Sequence, residues 1–373
     1  MENFRVAYSD LDNTAAAVWS VKEQLSGVDA GMVLFFVSPS YSVLTVGKTM
    51  ATTFPGARTV GCTTAGEMAS GKMGQKSIVA MAWSKASLKD LKIEVVENVK
   101  SNLDEAVNKA FMSFEKSLGV HPQELDPERY VGMVLVDGLS GCEEKLNDLL
   151  GNHTNVVFVG GSAGDDFKFE ITWLFVDGNA YTNAAVLLLM QPANGFALLK
   201  TQSFAVTDKT LTPTKVEEAR RMVVEFDGKP AAKAYAETLG ITVDELNATL
   251  GEHPVALVYD AENFFVRSPM KIEGDAIGFY CSVKEGLKLS VLKSDDIVST
   301  TRKDFNKIIE DCGGAIQAAI DFNCCLRTLE LSRKEQMKEY AHIFANVPAI
   351  GFATYGESYI GHINQTSTML ILK

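Results

Sequence analysis

Apolar positions along this chain collect in short unbroken runs, separated by amphipathic stretches and glycine-rich turns. MVLFFV (32–37), SIVAMAW (77–83), VGMVLVDG (131–138), AAVLLLM (184–190), AAIDFNCC (318–325) and STMLILK (367–373) show little alternation of apolar and polar residues. Runs of this length and kind predict strands buried on both faces, as in sheets covered by helices. Helical spacing lies between them. Residues 11–25 and 103–118 read as amphipathic helices, the second with Leu103, Ala106, Ala110, Phe111, Phe114 and Leu118 in register. A segment from Tyr41 to Phe54 is stopped by Pro55-Gly56. Leu146, Leu149 and Leu150 mark another helix, and Met337, Tyr340, Ala341, Phe344 and Ala345 a further one.

One order of elements occurs three times. VGCTTAGE (60–67) and IGFATYGE (350–357) share a pattern with Gly61/Gly351, Thr64/Thr354, Gly66/Gly356 and Glu67/Glu357, and VGGSAGDD (159–166) is a looser relative with Asp165 as its acidic position. Each motif follows a strand, a helix and a second strand, and precedes a third. The expected fold is therefore α/β (α+β), with mixed β-sheets and flanking helices built from repeated β-α-β-β units. Turn formers crowd residues 192–215, residues 230–250 are helical, and residues 255–300 alternate short strands with turns. Two domains are expected, 1–205 with two copies and 206–373 with the third.

Length, 373 residues, agrees with two or three domains. The net charge of −12 disfavours nucleic acid and anionic membrane surfaces as partners. No run approaches the ~20 apolar residues of a membrane span, and MENFRVAYSD has no secretory pattern, so a cytoplasmic location is expected. Six cysteines show no disulfide or metal spacing; Cys324 and Cys325 read as buried thiols on opposite faces of a strand end.

The chemistry concentrates at the three turns. Cys62, Thr63, Thr64 and Glu67 come from the first copy, Asp165 and Asp166 from the second, and Tyr355, Glu357, His362, Asn364 and Thr366 from the third. Backbone N–H groups at such turns favour a ligand, and the acidic residues direct that preference to amines, hydroxyls or cations. For the threonines the competing reading is turn chemistry, with hydroxyls serving neighbouring backbone groups. Arg327, at the end of a buried strand, could clamp a ligand carboxylate or serve a structural partner such as Glu357. Gly47-Lys48-Thr49 lacks the earlier glycine of a phosphate loop and lies on a buried helix. No metalloprotease, nucleophile-elbow or dinucleotide motif occurs, so the chain is read as a binding protein, with a cysteine-dependent enzyme using Cys62 as an alternative.

With GMVLFFVSPSY, VGCTTAGE, DGLSGCEEKL, VGGSAGDD, NCCLR and GFATYGESYIGHINQTSTMLIL in place, the chain resembles FIST proteins over nearly its whole length. Gly351, Phe352, Thr354, Tyr355, Gly356, Glu357, His362, Asn364, Gln365 and Thr366 match the family's ending. Cys324-Cys325-Leu326-Arg327 departs from the family's Cys-x-Gly-Arg. The resemblance implies a sensory input module for small molecules such as amino acids, coupled to histidine kinases, cyclic-nucleotide enzymes or chemoreceptors. It also implies an alternative, a haem-binding nitric-oxide sensor acting with a histidine kinase, for which His362 is the candidate haem ligand. A signal leaving this chain would pass by contact with a separate protein.

Overall fold

The unbroken apolar runs form strands at the centres of three six-stranded sheets in the computed structural model, which describes residues 2–260 and 264–373. In spatial order the first sheet contains Phe4–Ser9, Ile78–Ser84, Ala30–Val37, Arg58–Thr63, Leu174–Val176 and Asn179–Tyr181. The second contains Leu88–Glu97, Ala184–Pro192, Val131–Val136, Phe158–Ser162, Glu357–Tyr359 and His362–Ile363. The third contains Phe196–Gln202, Thr366–Leu372, Ala318–Cys324, Ala349–Thr354, Glu67–Ala69 and Lys72–Gly74. All three share one plan: a parallel central pair, antiparallel strands beside it, and a short hairpin at one edge.

That hairpin always comes from another segment of the chain. The first motif runs into Glu67–Ala69, which pairs with Ala349–Thr354 of the third sheet. The strand Leu174–Val176 pairs with Arg58–Thr63 of the first, and Glu357–Tyr359 pairs with Phe158–Ser162 of the second. The exchange closes a three-way cycle, tying each sheet to the next by backbone hydrogen bonds.

Alternate residues of each central strand face opposite layers. Leu34 and Phe36, Met133 and Leu135, and Ile320 and Phe322 all join one shared core. Phe36 lies 4.5 Å from Phe352 and 6.5 Å from Phe322, centroid to centroid. Val33, Phe35 and Val37 face helices α1 (Thr14–Gln24) and α2 (Val43–Thr53). Val134 and Val136 face α3 (Leu103–Leu118) and α4 (Glu143–His153). Fully burying each such side chain contributes about 1.5–3 kcal/mol, so a strand apolar on both faces requires both layers.

Helix α3 has the bounds its apolar stripe predicts; Asp104 and Glu105 sit in its first turn and Gly119, at φ 73°, closes it. α5 (Ala231–Leu239) and α6 (Val243–Ala248) divide the helical segment 230–250, with Thr242 and Glu245 forming a capping box on α6. α7 (Ile297–Asp311), α8 (Cys325–Arg333) and α9 (Met337–His342) follow. The third copy corrects the expectation of one helix carrying the stripe from Met337 to Ala345. The chain turns into α8 directly at Cys325, so Cys325 opens a helix rather than ending a strand, and α9 stops at His342. Both Cys324 and Cys325 are nevertheless buried.

Contacts divide the chain into two compact units. One comprises 1–201, 301–362 and 367–373, and the other 202–300 with 363–366. The division at 205/206 follows the chain, whereas this one follows space, because the strands Ala318–Cys324, Ala349–Thr354 and Thr366–Leu372 build the third sheet. The second unit has a four-stranded sheet (Phe204–Leu211, Leu289–Ser294, Val255–Val258, Phe264–Arg267) and a further sheet centred on Met222–Phe226 and Ala276–Phe279. Phe226, Tyr235, Ile277 and Phe279 lie in its core.

Candidate functional site

A glycine in the second strand of each central pair lets two backbones approach. A Cβ at Gly61, Gly160 or Gly351 would lie 2.2, 1.8 or 2.5 Å from the carbonyl oxygen of Phe35, Val134 or Asp321. The three strands then end in turns that hydrogen-bond to one another. Gly164 N donates to Thr63 O at 2.9 Å and Asp166 N to Thr64 O at 3.1 Å. Tyr355 N donates to Ser162 O at 3.2 Å, and Ser162 N to Gly356 O at 2.9 Å. Ala65 N donates to Ala353 O at 3.2 Å, and Ala353 N to Gly66 O at 2.8 Å. The turns thus form a closed ring at the carboxyl ends of the parallel strands, where α/β sheets place their ligand crevices.

Glu67 is wholly buried beside this ring. Its carboxylate accepts from the Thr64 hydroxyl, from Ser77 Oγ at 2.7 Å and from Ser77 N at 3.1 Å. Burial outweighs these bonds and pushes its pKa up to about 7, with Asp166 adding repulsion. Asp166 is half-buried, accepts from Ser38 Oγ at 2.8 Å, and is raised chiefly by burial.

Asp165 acts differently from Glu67. Its Oδ1 accepts from Phe169 N at 2.9 Å, and its Oδ2 from Glu170 N at 2.7 Å and Ile171 N at 3.0 Å. The Tyr355 hydroxyl donates to its Oδ1 at 2.5 Å and itself accepts from Phe167 N at 2.8 Å. Burial pushes this carboxyl up, but the Tyr355 hydroxyl and the three N–H groups together hold it below its ordinary value. The clamp secures a loop in which Asp166, Phe167 and Phe169 have φ of 56°, 62° and 55°, left-handed conformations unusual for such side chains. Phe169 stacks on Tyr355 at 4.9 Å and is 60% exposed.

The acidic position of the second copy is thus displaced. Glu67 pairs with Phe352 and Glu357 with Gly161, each partner being the residue after a close-packed glycine, and at the matching place opposite Cys62 stands Leu174. Residues 165–173 bulge out ahead of it, which frees Asp165 to organise the loop.

Other predicted residues separate. Cys62 lies in the shared apolar core with no exposed surface, and burial, then the charge of Glu67, pushes its thiol well above its ordinary value. A thiol so placed is a poor nucleophile. Thr63 Oγ1 accepts from Trp173 N at 2.9 Å, and Thr354 Oγ1 donates to Ser162 O at 2.8 Å, which is turn chemistry. Arg327 lies within α8, not at a strand end; its Nε donates to Asn323 Oδ1 at 2.9 Å and its Nη2 to Thr301 Oγ1 at 2.8 Å. Glu357 is fully buried on the edge hairpin of the second sheet. Asn364 and Thr366 belong to the second unit, where the Cys281 thiol donates to Asn364 Oδ1.

His362 does not suit a haem iron. The residue is 7% exposed, and its ring fills the space over Gly356, where a Cβ would come within 2.2 Å of Cε1. An axial ligand needs a ring edge open to a macrocycle.

Sequence reasoning missed a buried polar layer behind the third sheet. Asp321 and Asn323 occupy the face that is apolar in the other two sheets. Asp321 accepts from Ser367 Oγ at 2.6 Å and Tyr340 Oη at 2.9 Å, and burial raises it to about 6. The alternation D-F-N inside AAIDFNCC was its signal.

Sheets that share a core and join their polar turns in one ring define a mixed α/β protein with a preorganised polar end. Comparison with known families gives the class its name. The FIST N domain profile matches residues 31–229 and the FIST C domain profile residues 231–359, so the chain belongs to the FIST family, whose domains serve small-ligand sensing in signal transduction. An uncharacterized protein of Methanocaldococcus jannaschii is 24% identical over 182 residues, a match covering 45% of this chain and 35% of that protein. This chain therefore spans well under two thirds of that relative's length. Among the described residues no helix is long and apolar enough to cross a membrane.

Proposed function

We propose that this protein is a cytoplasmic input module that binds an amino acid or a similar small metabolite and signals by contact with a separate partner, such as a histidine kinase, a cyclic-nucleotide enzyme or a chemoreceptor. One observation carries the reading: beside the ring of turns Glu67 accepts from the hydroxyls of Thr64 and Ser77 and Asp166 from that of Ser38, with a clamped aromatic loop at the same end. Strain retained in such a loop is characteristic of sites that must be preshaped. The common sheet plan further supports descent of the three units from one ancestor.

A thermal-shift screen of the purified chain against the twenty amino acids and simple amines tests this. A saturable rise in melting temperature for at least one compound is expected. No shift with any of them, from folded protein, counts against the reading.

A further inference from the structure

The second sheet ends in Leu88–Glu97, a strand of 10 residues that pairs with Ala184–Pro192 and, among the described residues, with no strand on its other side. Natural sheets usually keep such open edges short, because unpaired backbone groups there invite another strand. The corresponding edges of the other two sheets, Phe4–Ser9 and Phe196–Gln202, have 6 and 7 residues.

The register shows which groups face outward. Asp137 N donates to Ala184 O at 2.9 Å, next to the pairing of Val136 with Ala185. Even-numbered residues of Ala184–Pro192 therefore turn their backbone groups to Val131–Val136, and odd-numbered ones to Leu88–Glu97. Leu187 lies opposite Glu94 and Leu189 opposite Lys92, so Lys92 and Glu94 bond inward. Leu91, Ile93 and Val95 are left with N–H and C=O groups pointing out of the edge. The N–H of Leu91 is met there by the carboxylate of its own neighbour, Asp90 Oδ1, at 2.9 Å. The side chains of Leu91, Ile93 and Val95 pack on the shared core yet stay partly exposed. Lys92 and Glu94 lie on the opposite face, towards α3, where Ser113 Oγ donates to Glu94 Oε1 at 2.6 Å and Lys92 Nζ lies 2.5 Å from Asp90 Oδ1.

This edge complements itself in reverse. A second copy, antiparallel about a two-fold axis at Ile93, sets Ile93 opposite Ile93 and Leu91 opposite Val95, each pair able to exchange two backbone hydrogen bonds. The same axis sets Lys92 opposite Glu94, twice by symmetry, and opposite charges so placed attract. An axis at Lys92 would instead oppose Lys92 to Lys92, and one at Glu94 would oppose Glu94 to Glu94. An axis between residues would bring the apolar face of one copy against the charged face of the other. The irregularity between Gln191 and Pro192 ends regular pairing near Lys89, so the matched stretch is Asp90–Val96. Phe4–Ser9 has Arg5 as its one charge and Phe196–Gln202 has Lys200, so neither strand has an acid to set against its base.

We propose that Leu88–Glu97 is a homodimer interface, at which a second copy adds its own edge strand in the Ile93-centred register and makes one continuous sheet of two. The proposal is independent of the sensory reading. Phe158–Ser162 of this sheet ends in a turn of the ring, so the joined sheet links the two rings through backbone ladders.

Analytical ultracentrifugation across the micromolar range tests it. Wild type is expected to sediment as a dimer, and a monomer throughout overturns the proposal. Lys92→Glu and Glu94→Lys each create like-charge pairs and should weaken the dimer about tenfold or more. Circular dichroism checks that each variant is folded. An equimolar mixture of the two should form a heterodimer, because Glu at 92 then meets Lys at 94 and Lys92 meets Glu94. The double variant, with both charges reversed, should dimerise as wild type does. A loss of intramolecular contacts alone would not be repaired by mixing, so absence of the heterodimer overturns the register. A dimer indifferent to both single reversals lies on another surface and overturns the assignment. Ile93→Cys should cross-link to itself on mild oxidation, since Cα atoms of a hydrogen-bonded pair stand about 5.5 Å apart. Peptide mapping that finds no link between the two copies of position 93 counts equally against it.

Discussion

Replacing Glu67 by glutamine isolates a buried carboxyl that lies where the first turn enters the strand Glu67–Ala69. The glutamine keeps the shape and a carbonyl acceptor for Ser77, but it cannot ionise. The carboxyl has an ordinary value of 4.5 and is raised to about 7 by burial. Between those limits the folded chain holds a proton that the unfolded chain has released, so stability falls as pH rises through the window and the loss is complete above it. At about 1.4 kcal/mol for each pH decade, the difference comes to about 3 kcal/mol. Glu67→Gln removes this contribution and leaves the other titrating groups in place. The gap between variant and wild type should therefore move by about 3 kcal/mol in the variant's favour from pH 4.5 to pH 8. Urea unfolding followed by tryptophan fluorescence measures it. All three tryptophans, Trp19, Trp83 and Trp173, lie in the first compact unit, and Trp83 is fully buried in the core that the sheets share. Parallel stability curves for the two proteins would refute the reasoning.

Other expectations follow from the same geometry. Gly160→Ala would put a Cβ 1.8 Å from the Val134 carbonyl oxygen; the strands must part, and circular dichroism should show loss of more than about 3 kcal/mol or no folded protein, whereas full stability would contradict the close approach. Tyr355→Phe removes the hydroxyl bridging Asp165 and Phe167 N. It should cost about 1–3 kcal/mol and speed proteolysis within 165–171, and an unchanged cleavage rate would show the clamp to be dispensable. Among the cysteines Cys312 is partly exposed and the other five are buried. Brief iodoacetamide treatment at pH 7.5 with mass mapping should label Cys312 first, and rapid alkylation of Cys62 would revive a nucleophilic role for it.

Local signals were readable wherever one stretch of chain carries its own pattern. The stripe on α3 gives that helix its bounds, and VGMVLVDG reads as a doubly covered strand because Met133 and Leu135 face the shared core while Val134 and Val136 meet helices. Arg327 was harder. Its residue type suited a ligand carboxylate, but its partners, Asn323 and Thr301, are set by where α8 and α7 pack. Asp165 and Asp166 looked equivalent to Glu67 in the motif, yet whether the chain enters the next strand at once or bulges first depends on a pairing partner, Cys62, far away in sequence.

The sequence alone therefore determined the strands, most helices, the family pattern and the polar character of the three turns, since hydrophobic periodicity and turn chemistry are properties of neighbouring residues. Only the tertiary structure decided that each hairpin joins another unit's sheet, that the turns close into a ring, and that Glu67 is buried while Asp165 clamps a loop. Those outcomes depend on hydrogen bonds and desolvation between segments far apart in the chain, whose energies no local pattern records.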